Sequence, residues 1–378
     1  MQVFIIISIL FGILYVLQIG SYIYGFFKLK SFNTSKLERK IEDSLYLSII
    51  IPFKNEKQHL ELLFQNLKNQ SIKKTHFEVF FINDHSSDNS EQIISELIKN
   101  ISNFNIISLT ESQKGKKEAI RQGISQANGE LIVTSDADCL HQPSWLKQIL
   151  YFYLKHKPKM IIAPVLMTGS SFFQKNQSLE FLSLSGSTVG ASGINHPTMC
   201  SGANLAYRKD IFVEFKDAMH SKETSGDDVF LMHNIKRKYA KDIHYLKSNK
   251  AVVYTEAEKS FNLFFKQRLR WVSKSKSYFD IDTIISSVLV LFINIFMISS
   301  FILSFLDHTL FLYFVLLFGL KLFIDFILLY LTADFFKQKH LLYYFPLLSF
   351  IYPFYIIITA ILGLFTKKIK WKEKGAEK

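Results

Sequence analysis

The stretch Leu131-Ile-Val-Thr-Ser-Asp136-Ala-Asp138-Cys-Leu140, LIVTSDADCL, runs from a short apolar, β-branched segment straight into two carboxylates one residue apart. Acids are poor strand formers and like charges repel, so the pair needs a partner. Residues i and i+2 of an extended chain point the same way. If the backbone stays extended past Thr134, the two carboxylates share one side. There they can chelate a hard divalent cation, Mg2+ or Mn2+, which also takes the phosphate oxygens of a ligand. The competing reading is a solvated acidic turn ahead of a helix starting at Pro143.

Upstream, the same alternation repeats. Leu45–Ile51, Phe77–Ile82 and Phe104–Leu109 read as strands, and the β-branched run LYLSIII is suited to burial on both faces. Between them, Lys57–Gln70, Asp88–Lys99 and Lys116–Ala127 carry apolar residues at helical spacing. Strands alternating with helices predict an α/β fold, a mostly parallel sheet with helices on both faces. Ligands of such sheets bind beyond the carboxyl ends of the strands. Those ends read PFKNE (52–56), NDHSSD (83–88), TESQK (110–114) and SDAD (135–138), polar and acidic throughout. No G-x-G-x-x-G follows the first strand and no Walker lysine loop follows any, which argues against dinucleotide and P-loop chemistry.

The chain has 378 residues, 49% hydrophobic and 15% aromatic, and its apolar content is concentrated at both ends. Residues 3–27 carry no charge and are long enough to cross a bilayer, and MQVFIII lacks the basic start of a signal peptide. Runs 283–306, 309–331 and 341–365 have the same character, with Lys321 and Asp325 at i and i+4 in the middle one. That pair either marks a substrate path or neutralises itself inside a helix bundle. The expected organisation is an anchor at 1–28, a globular domain at 45–257, an amphipathic interfacial segment at 258–282, about three spans within 283–366 and a basic tail at 367–378. Lys28, Lys30, Lys36, Arg39 and Lys40 follow the first span, which predicts a cytosolic globular domain in a multi-pass protein of the cell membrane. Three full spans would then leave the basic tail outside, unless Pro346 and Pro353 turn the last run into a re-entrant hairpin. The net charge of +13 lies largely beside membrane segments, where anionic headgroups are a simpler partner than nucleic acid. Two cysteines, Cys139 and Cys200, exclude a disulfide framework.

Three further positions bear on chemistry. Asp84, at the end of the second strand, is placed to accept hydrogen bonds from a ribose or base, or else forms an Asx-turn. In SGDDVFL (225–231), Asp228 is a candidate general base, and helix capping by Asp227 or Asp228 is the alternative. Between 258 and 276, Phe261, Phe264, Phe265, Leu269 and Val272 share one helical side, while Gln267, Arg270, Trp271 and Lys274 lie mostly on the other. An arginine there can clamp a diphosphate and an indole can seat a sugar ring, or both are ordinary boundary anchors. The Ser- and Gly-rich stretch 168–200 reads as a mobile, acceptor-facing loop.

IIIPFKNE (49–56), IND (82–84), KGKKEAI (114–120), SDADC (135–139), SGANLAYRKD (201–210), SGDDVFL (225–231) and QRLRW (267–271) together resemble the membrane-bound family 2 glycosyltransferases, the group of ceramide glucosyltransferases, cellulose synthase catalytic subunits and hyaluronan synthases. The resemblance covers about residues 45–275. It implies a GT-A fold, a nucleotide-diphosphate sugar donor, usually a UDP-sugar, inversion at the anomeric carbon, and a lipid or glycan acceptor. It further implies that Asp84 holds the nucleoside, Asp136 lies near the donor and Asp138 coordinates the metal. Asp228 matches the acid that serves as base, although this chain reads G-D-D where the family reads T-E-D. Gln267, Arg270 and Trp271 match the motif that meets the diphosphate and acceptor, and Glu56 and Lys116 match positions near the donor. Two alternatives stand beside a single sugar transfer: a processive polysaccharide synthase, and a non-catalytic membrane protein that binds a nucleotide sugar or lipid.

Overall fold

The computed structural model describes residues 2–34, 46–215 and 227–366. Leu45, Lys36, Arg39, Lys40, Ser225, Gly226, the Asp227 side chain and the tail 367–378 lie outside the described residues. The chain packs into two compact units, one built on Lys30–Leu166 and Met199–Glu256, the other on Met1–Leu29, Met167–Thr198 and Ala257–Lys368.

The first unit is the α/β body. Its parallel strands are β1 (Leu47–Phe53), β2 (Phe77–Asn83), β3 (Phe104–Ser108) and β4 (Leu131–Thr134). They lie side by side in the order β3-β2-β1-β4. Beyond β4 the seven-stranded sheet continues through Leu205–Arg208, antiparallel to β4, then Met160–Ile162, then Ile243–Tyr245. The mostly parallel α/β sheet, of GT-A type, is therefore present, with one reversed strand that the apolar pattern alone does not disclose. All seven residues of β1 and all seven of β2 are buried, because helices cover both faces. Leu60, Leu63, Phe64 and Leu67 of helix Leu60–Lys68 make one such cover, and Ala119, Ile120, Gly123 and Ile124 of helix Lys116–Gln126 another. Each fully buried Ile or Leu here contributes about 1.5–3 kcal/mol relative to exposure.

At the amino ends of β1 and β4 the backbones close up. A Cβ on Gly129 would sit 2.8 Å from the Ser48 amide nitrogen, so only glycine fits. The buried Glu78 accepts hydrogen bonds from Ser48 Oγ (2.6 Å), Asn128 N (2.6 Å) and Gly129 N (3.3 Å), which ties β2, β1 and the entry to β4 together. At the opposite end, between β1 and β4, the strand order reverses. That is the crevice where open α/β sheets bind ligands.

The second unit is helical. Four of its segments, Gln2–Lys28, Ile281–Leu303, Thr309–Phe335 and Lys339–Gly363, are long and apolar enough to cross a membrane. The last does not turn back at its prolines. Pro346 sits in the first turn of helix Phe345–Phe365, where no amide hydrogen is needed, and the chain stays helical through Pro353. Lys321 and Asp325 pair at 2.5 Å, and Tyr15 of the first helix donates to the same carboxylate at 2.6 Å. The ion pair is thus closed by a third helix-borne group.

The stretch 168–200 is not a loop. Ser171 caps a 22-residue helix, Phe172–Gly193, and the small residues that resemble loop composition are its packing face. A Cβ on Gly190 would lie 2.4 Å from the Tyr22 carbonyl oxygen, and one on Gly186 would lie 2.3 Å from Thr332 Oγ1. Gly186 and Gly190 are four residues apart, the spacing that lets apolar helices approach backbone to backbone. Gly190→Leu is expected to destabilise the helical unit by about 1–3 kcal/mol, seen as a lower Tm in detergent. Gly319→Ala, where nothing lies within 4 Å, should leave Tm unchanged or raise it slightly.

Candidate active site

Two loops at the carboxyl ends of β1 and β2 are laced to each other. Asn55, at φ 53°, accepts from Ser87 N at 2.7 Å, and its own amide donates to Ser86 Oγ at 3.0 Å. The Glu56 amide donates to Ser90 Oγ at 2.8 Å. Within the second loop the Asx-turn is made by Asn83, whose Oδ1 accepts from Ser86 N at 3.0 Å. Asp84 is therefore spared that duty. It is buried, its amide donates to Phe53 O, and its carboxylate meets His85 Nδ1 at 3.0 Å. Asp88 Oδ1 accepts from Ser90 N, the first residue of the following helix, at 3.0 Å.

Past β4 the chain does not stay extended. The Cys139 amide donates to Asp136 O at 3.2 Å, closing a turn over Ala137 and Asp138, so the premise of a continuing strand fails while the acids remain neighbours. Lys116 pairs with Asp136 Oδ1. Gly115 makes this possible. At φ 93° and ψ 163° it adopts a conformation that L-residues avoid, and it turns the chain into helix Lys116–Gln126 at its first residue. Burial, and then the Asp136 charge, raise the Asp138 carboxyl above the usual aspartate range, against the opposing pull of Lys116 and His59. His59, which sequence reasoning passed over, bonds Glu56 Oε2 through Nδ1 at 2.8 Å. Its signal was a position three residues after Glu56 on the same incipient turn. Burial and the two carboxylates push the Cys139 thiol well up, so it stays protonated.

Among the described residues, no three His, Cys, Asp or Glu side chains gather into a metal cage. Two hard carboxylates, one of them raised by a like charge beside it, suit a divalent cation that completes its shell with water and substrate oxygens.

Asp228, in helix Asp227–Tyr239, is held by backbone groups: Gly202 N donates to Oδ2 at 2.7 Å and Val229 N to Oδ1 at 2.9 Å. The loop carrying Gly202 is itself tied to the strand-end acids, since Ser135 Oγ donates to Ala203 O at 2.8 Å. Asn204 fixes that loop from beneath. Fully buried, it accepts from Trp145 Nε1 and donates to Pro164 O and Ala251 O. Glu56, Asp84, Lys116, Asp136, Asp138 and Asp228 thus all belong to the α/β unit.

Gln267, Arg270 and Trp271 belong to the helical unit, on helix Phe261–Ser273. Gln267 Nε2 donates to Glu258 Oε1 at 3.1 Å. The buried face of this helix is set by Phe264 together with Arg268, a residue the sequence reading left unassigned. Arg268 is only 2% exposed and pairs with Glu180 at 2.6 Å. Burial opposes its charge, but the Glu180 carboxylate outweighs this and holds the guanidinium above the ordinary arginine value. Arg270 is half-buried, and its guanidinium makes no hydrogen bond or ion pair among the described residues.

Residues 48–215 match the model of the Glycosyl transferase family 2 domain. The chain is 30% identical over 176 residues to the poly-beta-1,6-N-acetyl-D-glucosamine synthase of Staphylococcus epidermidis, covering 44% of this chain and 40% of that protein. It is 30% identical over 105 residues to the undecaprenyl-phosphate 4-deoxy-4-formamido-L-arabinose transferase of Proteus mirabilis, covering 28% and 32%. The chain therefore spans well under half the length of these relatives. Among solved structures, the mannosyltransferase PcManGT of Pyrobaculum calidifontis, in complex with GDP-Man and Mn2+, superposes with a TM-score of 0.55 over 96% of both chains at 12% identity, which establishes likeness of fold.

Gly115→Val should cost about 1–3 kcal/mol, because its backbone conformation is nearly confined to glycine. The measurement is a Tm comparison with Lys116→Met, which removes the ion pair without the strain and should cost less.

Proposed function

We propose that this protein is a membrane-bound inverting glycosyltransferase that moves a sugar from a nucleotide diphosphate, a UDP-sugar by preference, to a lipid-linked or membrane-associated acceptor. The observation that carries this reading is the gathering of Asp136, Lys116 and Asp138 at the point where the sheet order reverses, with Asp84 at the end of the neighbouring strand. The family 2 domain match supports it. So do four apolar helices that would bring a lipid acceptor to the site's side of the bilayer, which we assign to the cytosol.

Asp84 and Glu56 bind the nucleoside end of the donor. A divalent cation held by Asp138 would carry the diphosphate and offset charge on the leaving group, in keeping with the Mn2+ in the mannosyltransferase complex. Lys116, fixed on Asp136, adds a second positive charge near the donor. Two backbone amides orient the Asp228 carboxylate. It takes the proton from the acceptor hydroxyl, whose oxygen attacks the anomeric carbon as the bond to the diphosphate breaks. Arg270, its guanidinium uncommitted, is assigned to the diphosphate, and Trp271 to the acceptor. The likeness to a polysaccharide synthase favours a second reading, repeated transfer onto a growing glycan, which a polymeric rather than single-sugar product would establish.

Incubation of the purified protein in lipid with radiolabelled UDP- and GDP-sugars should label the membrane fraction from one donor. Asp138→Asn and Asp228→Asn should each lower turnover by about 10²–10⁴-fold. Wild-type turnover in both variants would overturn the mechanism.

A further inference from the structure

The two arginines of QRLRW have opposite surroundings. Arg268 is enclosed. Its Nε lies 3.2 Å from Glu180 Oε2 and its Nη2 2.6 Å from the same oxygen, while Nη1 donates to Gln267 Oε1. Its planar face stacks between Phe264 and Trp271, 4.6 and 4.3 Å from the ring centres. A guanidinium buried and turned onto Glu180 and Gln267 in this way faces into its own unit, so the anion falls to Arg270.

A buried ion pair is a weak source of stability, since apolar residues of equal volume often serve as well. Its distinctive property is direction. The guanidinium fork fixes where each donor points, and lysine does not reproduce it. Here one branch of the fork sets the Gln267 amide, its face sets the Trp271 indole, and the remainder is gripped by Glu180. Glu180 in turn stands on Phe172–Gly193, the helix locked by its glycines against Tyr22 and Thr332. The indole and the amide are therefore indexed to the membrane helices.

We propose that Glu180 and Arg268 are positioning residues that hold Gln267 and Trp271 in the orientation used for the acceptor. This rests on the assignment of Trp271 to the acceptor made above, and the test separates the two claims. Full-length protein in detergent, labelled with fluorotryptophan, is compared as wild type, Arg268→Lys and the charge-free double variant Glu180→Leu/Arg268→Met, with the Trp271 resonance identified by Trp271→Phe. The double variant should keep its Tm within a few degrees and its donor KM within about twofold, while kcat/KM for the acceptor falls at least about tenfold, the effect of one charge-assisted hydrogen bond. The Trp271 resonance should shift or broaden while that of Trp145, buried in the α/β unit, stays put. Arg268→Lys, which keeps the charge without the fork, should resemble the double variant rather than the wild type. An unmoved Trp271 resonance, or wild-type acceptor kinetics in the double variant, overturns the proposal. If Trp271→Phe alone leaves acceptor kinetics unchanged, the acceptor assignment fails instead, and the resonance still decides whether the pair orients the indole.

Discussion

Every polar group of the strand-end site depends on β1 and β4 lying side by side. Their pairing, Leu47 opposite Leu131 through Ile50 opposite Thr134, places Asp136 and Asp138 next to the loop that carries Glu56. The register is set at the opposite ends of the strands, where Gly129 allows backbone to touch backbone and Glu78 satisfies four donors from two chain segments. A buried carboxylate with its acceptor sites filled is tolerated, whereas one left half satisfied is costly. Both electrostatic ends of the sheet are thus governed by carboxylates. One is buried and bonded for structure, and two are partly buried at the strand end.

The α/β body was legible in the sequence because strands buried on both faces are mostly apolar, and LIVT, LSIII and FEVFFI have that character apart from Ser48 and Glu78. The acids after β4 were legible because a pair of carboxylates at a strand end is chemically odd. Their local geometry was not. Whether SDADC runs on or turns depends on the Cys139 amide reaching Asp136 O, which no periodicity encodes. Lys116 as the neutralising partner was out of reach for a related reason, as it depends on one glycine with positive φ twenty residues upstream.

Helix Phe172–Gly193 was misread for a more general reason. Serine and glycine are weak helix formers in water, so their density suggests a loop. Among apolar helices the same residues are interface formers, because small side chains admit close backbone approach. Composition carries opposite meanings in the two environments, and only the neighbours decide. Arg268 and Glu180 illustrate the same limit. An arginine on the aromatic side of an interfacial helix looks like an anchor until a carboxylate 88 residues away is found against it.

That helix also sets an order of events for a chain made from its amino end. The first four parallel strands are complete by residue 134, but Leu205–Arg208, which pairs with β4, follows Phe172–Gly193 in the chain, and that helix belongs to the other unit. The sequence of the α/β unit is therefore interrupted in mid-sheet. A chain cut back to its hydrophilic middle would keep the excursion and lose its cover, leaving a glycine-lined face in water. For this protein the border between the two environments is crossed repeatedly along the chain, so the two halves are made as one.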